Sequence, residues 1–279
     1  MLRKLLKYDF RAVLKYWWLA AVSSVLLSVV GGFCISVFRQ TSIGEVNVPE
    51  VIIVCAVLLF VLVVIGICAF ILLSEILIFV RFYKNFFSDE GYLTFTLPVK
   101  QSQLLNSKLI MSSVTNILTL SVFVLDIIIM LAISFFDEIF TKSFFKQVMT
   151  IIRELIEQVD IYVIIYILEA LAFLLIAVIF SYLFMYACIT FASMITKKAK
   201  LITAIGIYYG ASSVLSFGIM IFNIFGTSSI ESSIALLPEN GQKMIVAVIL
   251  LGIVFFAAML AALIYALEYW MLDRKLNLA

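Results

Sequence analysis

The chain has 279 residues, 65% of them hydrophobic and 13% charged, with a formal net charge of +2. A soluble domain is nearer to about half apolar and about a quarter charged, so this is the composition of a polytopic membrane protein, and the small net charge gives no footing for nucleic-acid binding. There is no histidine, which excludes Ser-His and Cys-His catalysis, the HExxH zinc site and most haem ligation.

Residues 1–16 come first. Leu2, Leu5, Leu6, Phe10, Val13, Leu14 and Trp17 recur at helical spacing, with Arg3, Lys4, Lys7, Arg11 and Lys15 largely on the other face. The pattern predicts a basic amphipathic helix lying in the headgroup plane. Trp17 and Trp18 then belong to an interfacial aromatic belt. A plain positive-inside anchor would carry the same residues. The apolar run that follows is too long for a cleavable signal and is expected to stay in the bilayer.

Six apolar runs occupy residues 17–38, 51–80, 109–136, 161–191, 201–226 and 244–272. A hydrocarbon core of about 30 Å needs about 20 helical residues, so each run is predicted to span. Pro49, Pro98 and Pro238 all lie in connections, and no span is interrupted by proline. Cys34, Cys55, Cys68 and Cys188 lie within apolar runs without a CxxC spacing, and read as small buried hydrophobes.

Orientation follows from Lys and Arg. With the N-terminus inside, the N-terminal segment holds five. Arg81, Lys84, Lys100 and Lys108 follow, then Lys197, Lys198 and Lys200, then Arg274 and Lys275. Only Arg39, Lys142, Lys146, Arg153 and Lys243 fall outside. This bias predicts both termini in the cytoplasm. The external segment 137–160 carries Phe144, Phe145, Val148, Ile151, Ile152, Leu155, Ile156 and Val159 at helical spacing. It predicts an amphipathic helix that either packs on the outer surface or lines an exit path. Gly226–Ser229 and Pro238 mark a turn before the last run. No repeat or linker divides the chain, so 1–279 is expected to form a single membrane domain.

Four carboxylates fall inside the runs. Glu75 and Glu268 lie near span ends, where interfacial hydrogen bonding accounts for them. Asp126 is mid-span and Glu169 lies about two turns inside the outer surface. Ionised groups at that depth are costly. Asp126 and Glu169 are therefore candidates for a transport path, with interhelical hydrogen bonding as the alternative.

The internal segment 82–108 is the most informative. Phe82, Tyr83, Phe86 and Phe87 leave the second span, and Ser88 is placed to cap a short helix with Asp89 and Glu90 in its first turn. Tyr92, Leu93, Phe95, Leu97 and Val99 leave apolar groups on the cytoplasmic face that a partner protein or headgroups would cover. Glu90-Gly91, Leu93, Leu97-Pro98-Val99, Leu104, Leu105 and Lys108 resemble the connection between spans two and three of type-2 ABC-exporter permeases. The basic helix, six spans and internal termini agree with that family. The external helix between spans three and four departs from its pattern, which puts re-entrant helices between spans five and six.

The resemblance implies a short cytoplasmic coupling helix, in which Asp89, Glu90, Gly91, Leu93, Leu97, Pro98 and Val99 dock a separate ABC ATPase. It also implies a homodimer or a heterodimer with a similar permease. ATP and Mg would be bound by the ATPase. This sequence has no GxxxxGK[ST] loop and no Gly-Lys pair, so no cofactor, metal or catalytic role is expected of it. Two other classes remain open: an ion-coupled carrier using Asp126 and Glu169, and a membrane scaffold or immunity factor. The carrier lacks the Gly/Pro-broken spans that build midplane sites.

Overall fold

The computed structural model describes residues 2–43, 49–88, 91, 100–136, 142–157, 159–196, 200–234 and 237–274. Seven helices are described: α1 (Leu2–Ile43), α2 (Glu50–Phe87), α3 (Gln101–Ser134), α4 (Lys142–Glu157), α5 (Ile161–Ile195), α6 (Lys200–Ile234) and α7 (Glu239–Arg274). All but α4 contain a stretch long and apolar enough to cross a membrane. At about 1.5 Å per residue the six long helices run roughly 51–63 Å, well past a core of about 30 Å. The chain is an all-α protein of the polytopic membrane class. Two of the prolines start helices: Ile52 N–H donates to Pro49 O at 2.9 Å and Gln242 N–H to Pro238 O at 3.0 Å.

The chain forms two compact units, Met1–Arg81 with Ile110–Glu157, and Phe82–Leu109 with Gln158–Ala279. In the first, α1 continues through residue 16 without a break, so the separate interfacial helix expected over 1–16 is not a separate element. Its apolar face has a protein partner. Val13, Trp17 and Ala21 form a buried cluster with Phe70 of α2 and Met111 of α3, flanked by Leu6, Phe10 and Leu14. Trp17, expected in an aromatic belt, is buried; its indole N–H donates to Thr119 Oγ1 at 2.9 Å. Trp18 is exposed, as a belt residue would be. The difference is one of helical phase: 100° separates neighbours, and only Trp17 shares the face of Val13 and Ala21.

At the far end of α1, Phe38 meets Phe60 edge-on at 6.1 Å and Arg39 lies over the Phe135 ring at 5.1 Å. At its near end, Asp9 pairs with Arg81 at 3.3 Å. These contacts make α2 antiparallel to α1, with α3 parallel to it. A glycine lets α1 and α3 approach. A Cβ on Gly32 would lie 2.7 Å from Ile133 Cβ, and Ser134 donates to the Gly32 carbonyl at 3.3 Å. Cys34 is buried, but Cys55 and Cys68 are exposed on α2, so the reading of all four cysteines as buried is corrected.

In the second unit α5 packs against α6 and, more extensively, α7. Lys243 pairs with Asp160 at 2.9 Å and its carbonyl accepts from Tyr166 at 2.8 Å, at the start of both helices. Thr190 meets Glu268 near the end of both. Thus α5 and α7 run parallel. The segment expected as an external amphipathic helix over 137–160 is helical over Lys142–Glu157.

Candidate functional site

The segment between α2 and α3 is held at both ends. Phe82 stacks on Tyr186 of α5, with centroids 3.8 Å apart and planes 8° from parallel. Phe82, Phe86 and Phe87 form a ring cluster. Phe82, Phe86, Leu104, Leu105 and Tyr186 are each at most 2% exposed. Full burial of such side chains stabilises by about 1.5–3 kcal/mol each. Polar contacts fasten the α3 side: Tyr186 donates to Lys108 O at 3.5 Å, and Tyr265 of α7 to Asn106 Oδ1 at 2.9 Å. The start of α3 is therefore tied to the same ends of α5 and α7 that carry Thr190 and Glu268.

Of the predicted docking residues, Gly91 is described. It is buried, and its N–H donates to Ser88 O at 2.7 Å. A Cβ there would lie 2.7 Å from Phe86 O, so the chain turns back against the end of α2 at a point where only glycine fits. The Ser88 hydroxyl donates back to Lys84 O, and the short helix it was expected to cap lies, apart from Gly91, outside the described residues. Asp89, Glu90, Leu93, Leu97, Pro98 and Val99 lie outside the described residues. The aromatic residues assigned to an exit from the second span belong to α2 itself, which continues to Phe87.

The two path candidates fall in different units. Asp126 is fully buried, and Ser24 and Ser28 of α1 stand beside it with their hydroxyls in reach of its carboxyl. Glu169 is half-buried one turn beyond Tyr166, with Oε2 buried and without a partner among the described residues. Glu75 accepts from Asn116 Nδ2 at 3.1 Å, in keeping with a hydrogen-bonding role. Glu268 is 0% exposed and accepts from Thr190 Oγ1 at 2.6 Å, a hydrogen bond within the protein, while its Oε2 has no partner among the described residues. Sequence reading passed over this pair because its members are 78 positions apart and only the α5–α7 packing joins them.

Comparison with family profiles, with curated proteins and with solved structures finds no match to the chain. What fold and site define is a multi-pass, all-α membrane protein with a firmly anchored elbow between its second and third long helices.

Proposed function

We propose that this chain is the permease subunit of an ATP-driven exporter, moved by a separate cytoplasmic ABC ATPase that docks on the segment between α2 and α3. One observation carries the reading: the elbow is anchored by Phe82, Phe86, Leu104 and Leu105 against Tyr186. A push on residues 89–99 would pass into α5 and α7 through close-packed side chains, which yield little under load. An unanchored loop would absorb the same push. In this reading Asp89, Glu90, Gly91, Leu93, Leu97, Pro98 and Val99 form the docking surface, ATP and Mg belong to the partner, and a second permease copy or a similar chain completes the path. Both termini and the elbow face the cytoplasm. Asp126 and Glu169 are the polar groups in the bilayer offered to a transported species, whose identity is open. The chain itself is a transport subunit and not an enzyme.

The test is co-purification of the full chain from its native membrane. Glu90→Arg or Leu97→Arg should release an ABC ATPase that accompanies the wild type, while leaving the chain folded. An ATPase retained by both variants, or none bound by the wild type, rejects the reading.

A further inference from the structure

Five cations line one flank of the first part of α1. Arg3, Lys7, Arg11 and Lys15 follow one another four residues apart, and Lys4 stands beside them. At about 100° per residue the five fall within an arc of about 120°. All five are exposed. Like charges four apart on a helix repel and destabilise it, and the opposite sign is not supplied from within. Asp9 is the one carboxylate on residues 2–16. It is 3% exposed, lies on the opposite side of the helix and is held by Arg81 at 3.3 Å. Among the described residues no ion pair engages any of the five; Lys15 Nζ lies 5.6 Å from the centroid of the Tyr16 ring.

The same flank changes chemistry where the apolar run begins. Trp18, Val22 and Leu26 continue it four residues apart, and are 66%, 42% and 64% exposed. Leu26 lies about 16 Å beyond Lys15 along the axis, the depth of about half a hydrocarbon core. The other side of the helix is already taken, since Val13, Trp17 and Ala21 pack on Phe70 and Met111. The basic stretch therefore does not lie flat on a bilayer by its apolar face. It is the upper half of one continuous flank: cations first, then an indole, then exposed apolar side chains. That order matches a charged headgroup, the interface and an acyl chain. An acidic protein surface would match the cations and leave the apolar half uncovered.

We propose that this flank of α1 is a binding site for an anionic phospholipid in the leaflet at the N-terminal end of the helix. The phosphate sits against Arg11 and Lys15, and an acyl chain lies along Trp18, Val22 and Leu26. The Arg11 guanidinium offers a planar fork of donors to phosphate oxygens, and the Lys15 ammonium a point charge. Lys7, one turn above Arg11, adds to the attraction. Arg3 and Lys4 stand about 16–18 Å from Lys15 along the axis, about two Debye lengths at physiological salt, and contribute little. The site belongs to the first unit alone and does not depend on the function proposed above.

The test is native mass spectrometry of the purified full chain in detergent micelles, titrated with phosphatidylglycerol or with phosphatidylcholine of the same acyl chains. The wild type should bind the first phosphatidylglycerol about tenfold more tightly than phosphatidylcholine, the scale set by two cations close to an anionic headgroup. Arg11→Gln with Lys15→Gln should abolish that preference. Arg3→Gln with Lys4→Gln should keep most of it, and so should the charge-conserving pair Arg11→Lys with Lys15→Arg. Equal binding of the two lipids by the wild type overturns the proposal and leaves the cations to an acidic protein. A preference that survives loss of Arg11 and Lys15 overturns it too, as does an equal loss in the Arg3 and Lys4 pair, which would mean diffuse charge and no site. Should the Arg11 and Lys15 pair fail to fold, Lys15→Gln alone reads the same ratio; a fall of about threefold supports the site, and an unchanged ratio removes it.

Discussion

Gly32 shows how little room the packing leaves. Its hypothetical Cβ falls 2.7 Å from Ile133 Cβ, a branch point that cannot swing aside, whereas Gly206 meets nothing within 4 Å. Gly32→Val should therefore lower stability by about 1–3 kcal/mol through overpacking. Gly206→Ala should be neutral or stabilise by up to about 1 kcal/mol through helix propensity. Thermal unfolding in detergent micelles compares the two, and equal midpoints would contradict the close approach of α1 and α3. The Thr190–Glu268 pair makes a second case. Thr190→Val keeps the shape but leaves Glu268 without its 2.6 Å donor. The expected loss is about 1–3 kcal/mol, the cost of an unsatisfied buried polar group. Thr190→Ser should recover most of it in the same unfolding assay; a Val variant as stable as wild type would mean the bond contributes nothing.

Two helices do more than their hydropathy suggests. α1 reads as a surface helix followed by a span, but Val13, Trp17 and Ala21 share one face across that boundary, so one stripe packs against α2 and α3 along both parts. The Asp9–Arg81 pair fixes the near end of this contact. α2 likewise outlasts its apolar run, because Phe82, Phe86 and Phe87 recur at helical spacing and find Tyr186. Gly91 then packs on the Phe86 carbonyl, which is backbone and cannot yield. Gly91→Ala should loosen this end of α2 without unfolding the protein. Hydrogen exchange should speed at amides 84–88 and stay unchanged in α1, and uniform protection throughout would show that the turn tolerates a side chain.

Within the first unit α2 runs against α1 and α3 along it, and within the second α5 and α7 run parallel, as the Asp9–Arg81, Arg39–Phe135, Asp160–Lys243 and Thr190–Glu268 contacts require. For six spans the Lys/Arg bias predicts both termini and the α2–α3 elbow on the cytoplasmic side. In a background lacking the four native cysteines, Lys100→Cys should be labelled by an impermeant maleimide only from the cytoplasmic face and Lys146→Cys only from the outside. Labelling of both from one face would overturn the topology.

Length and hydropathy were enough to read six helices long and apolar enough to span, their approximate limits and an amphipathic helix within 137–160, because a backbone in hydrocarbon has to satisfy its own hydrogen bonds and a continuous apolar run does so as a helix. The same signal is blind to partners. Asp126 stood out because a mid-span carboxylate is costly anywhere, but Ser24 and Ser28 did not, since serine bonds readily to its own helix and carries no periodic mark. Trp17 and Trp18 are adjacent and chemically identical, and helix packing alone buries one and exposes the other. Glu268 gained its donor, and the elbow its anchorage on Tyr186, from contacts 78 or more positions apart. Which face of a helix meets another is decided by the fit of side chains brought together in three dimensions, and a one-dimensional pattern of hydrophobicity does not record that fit.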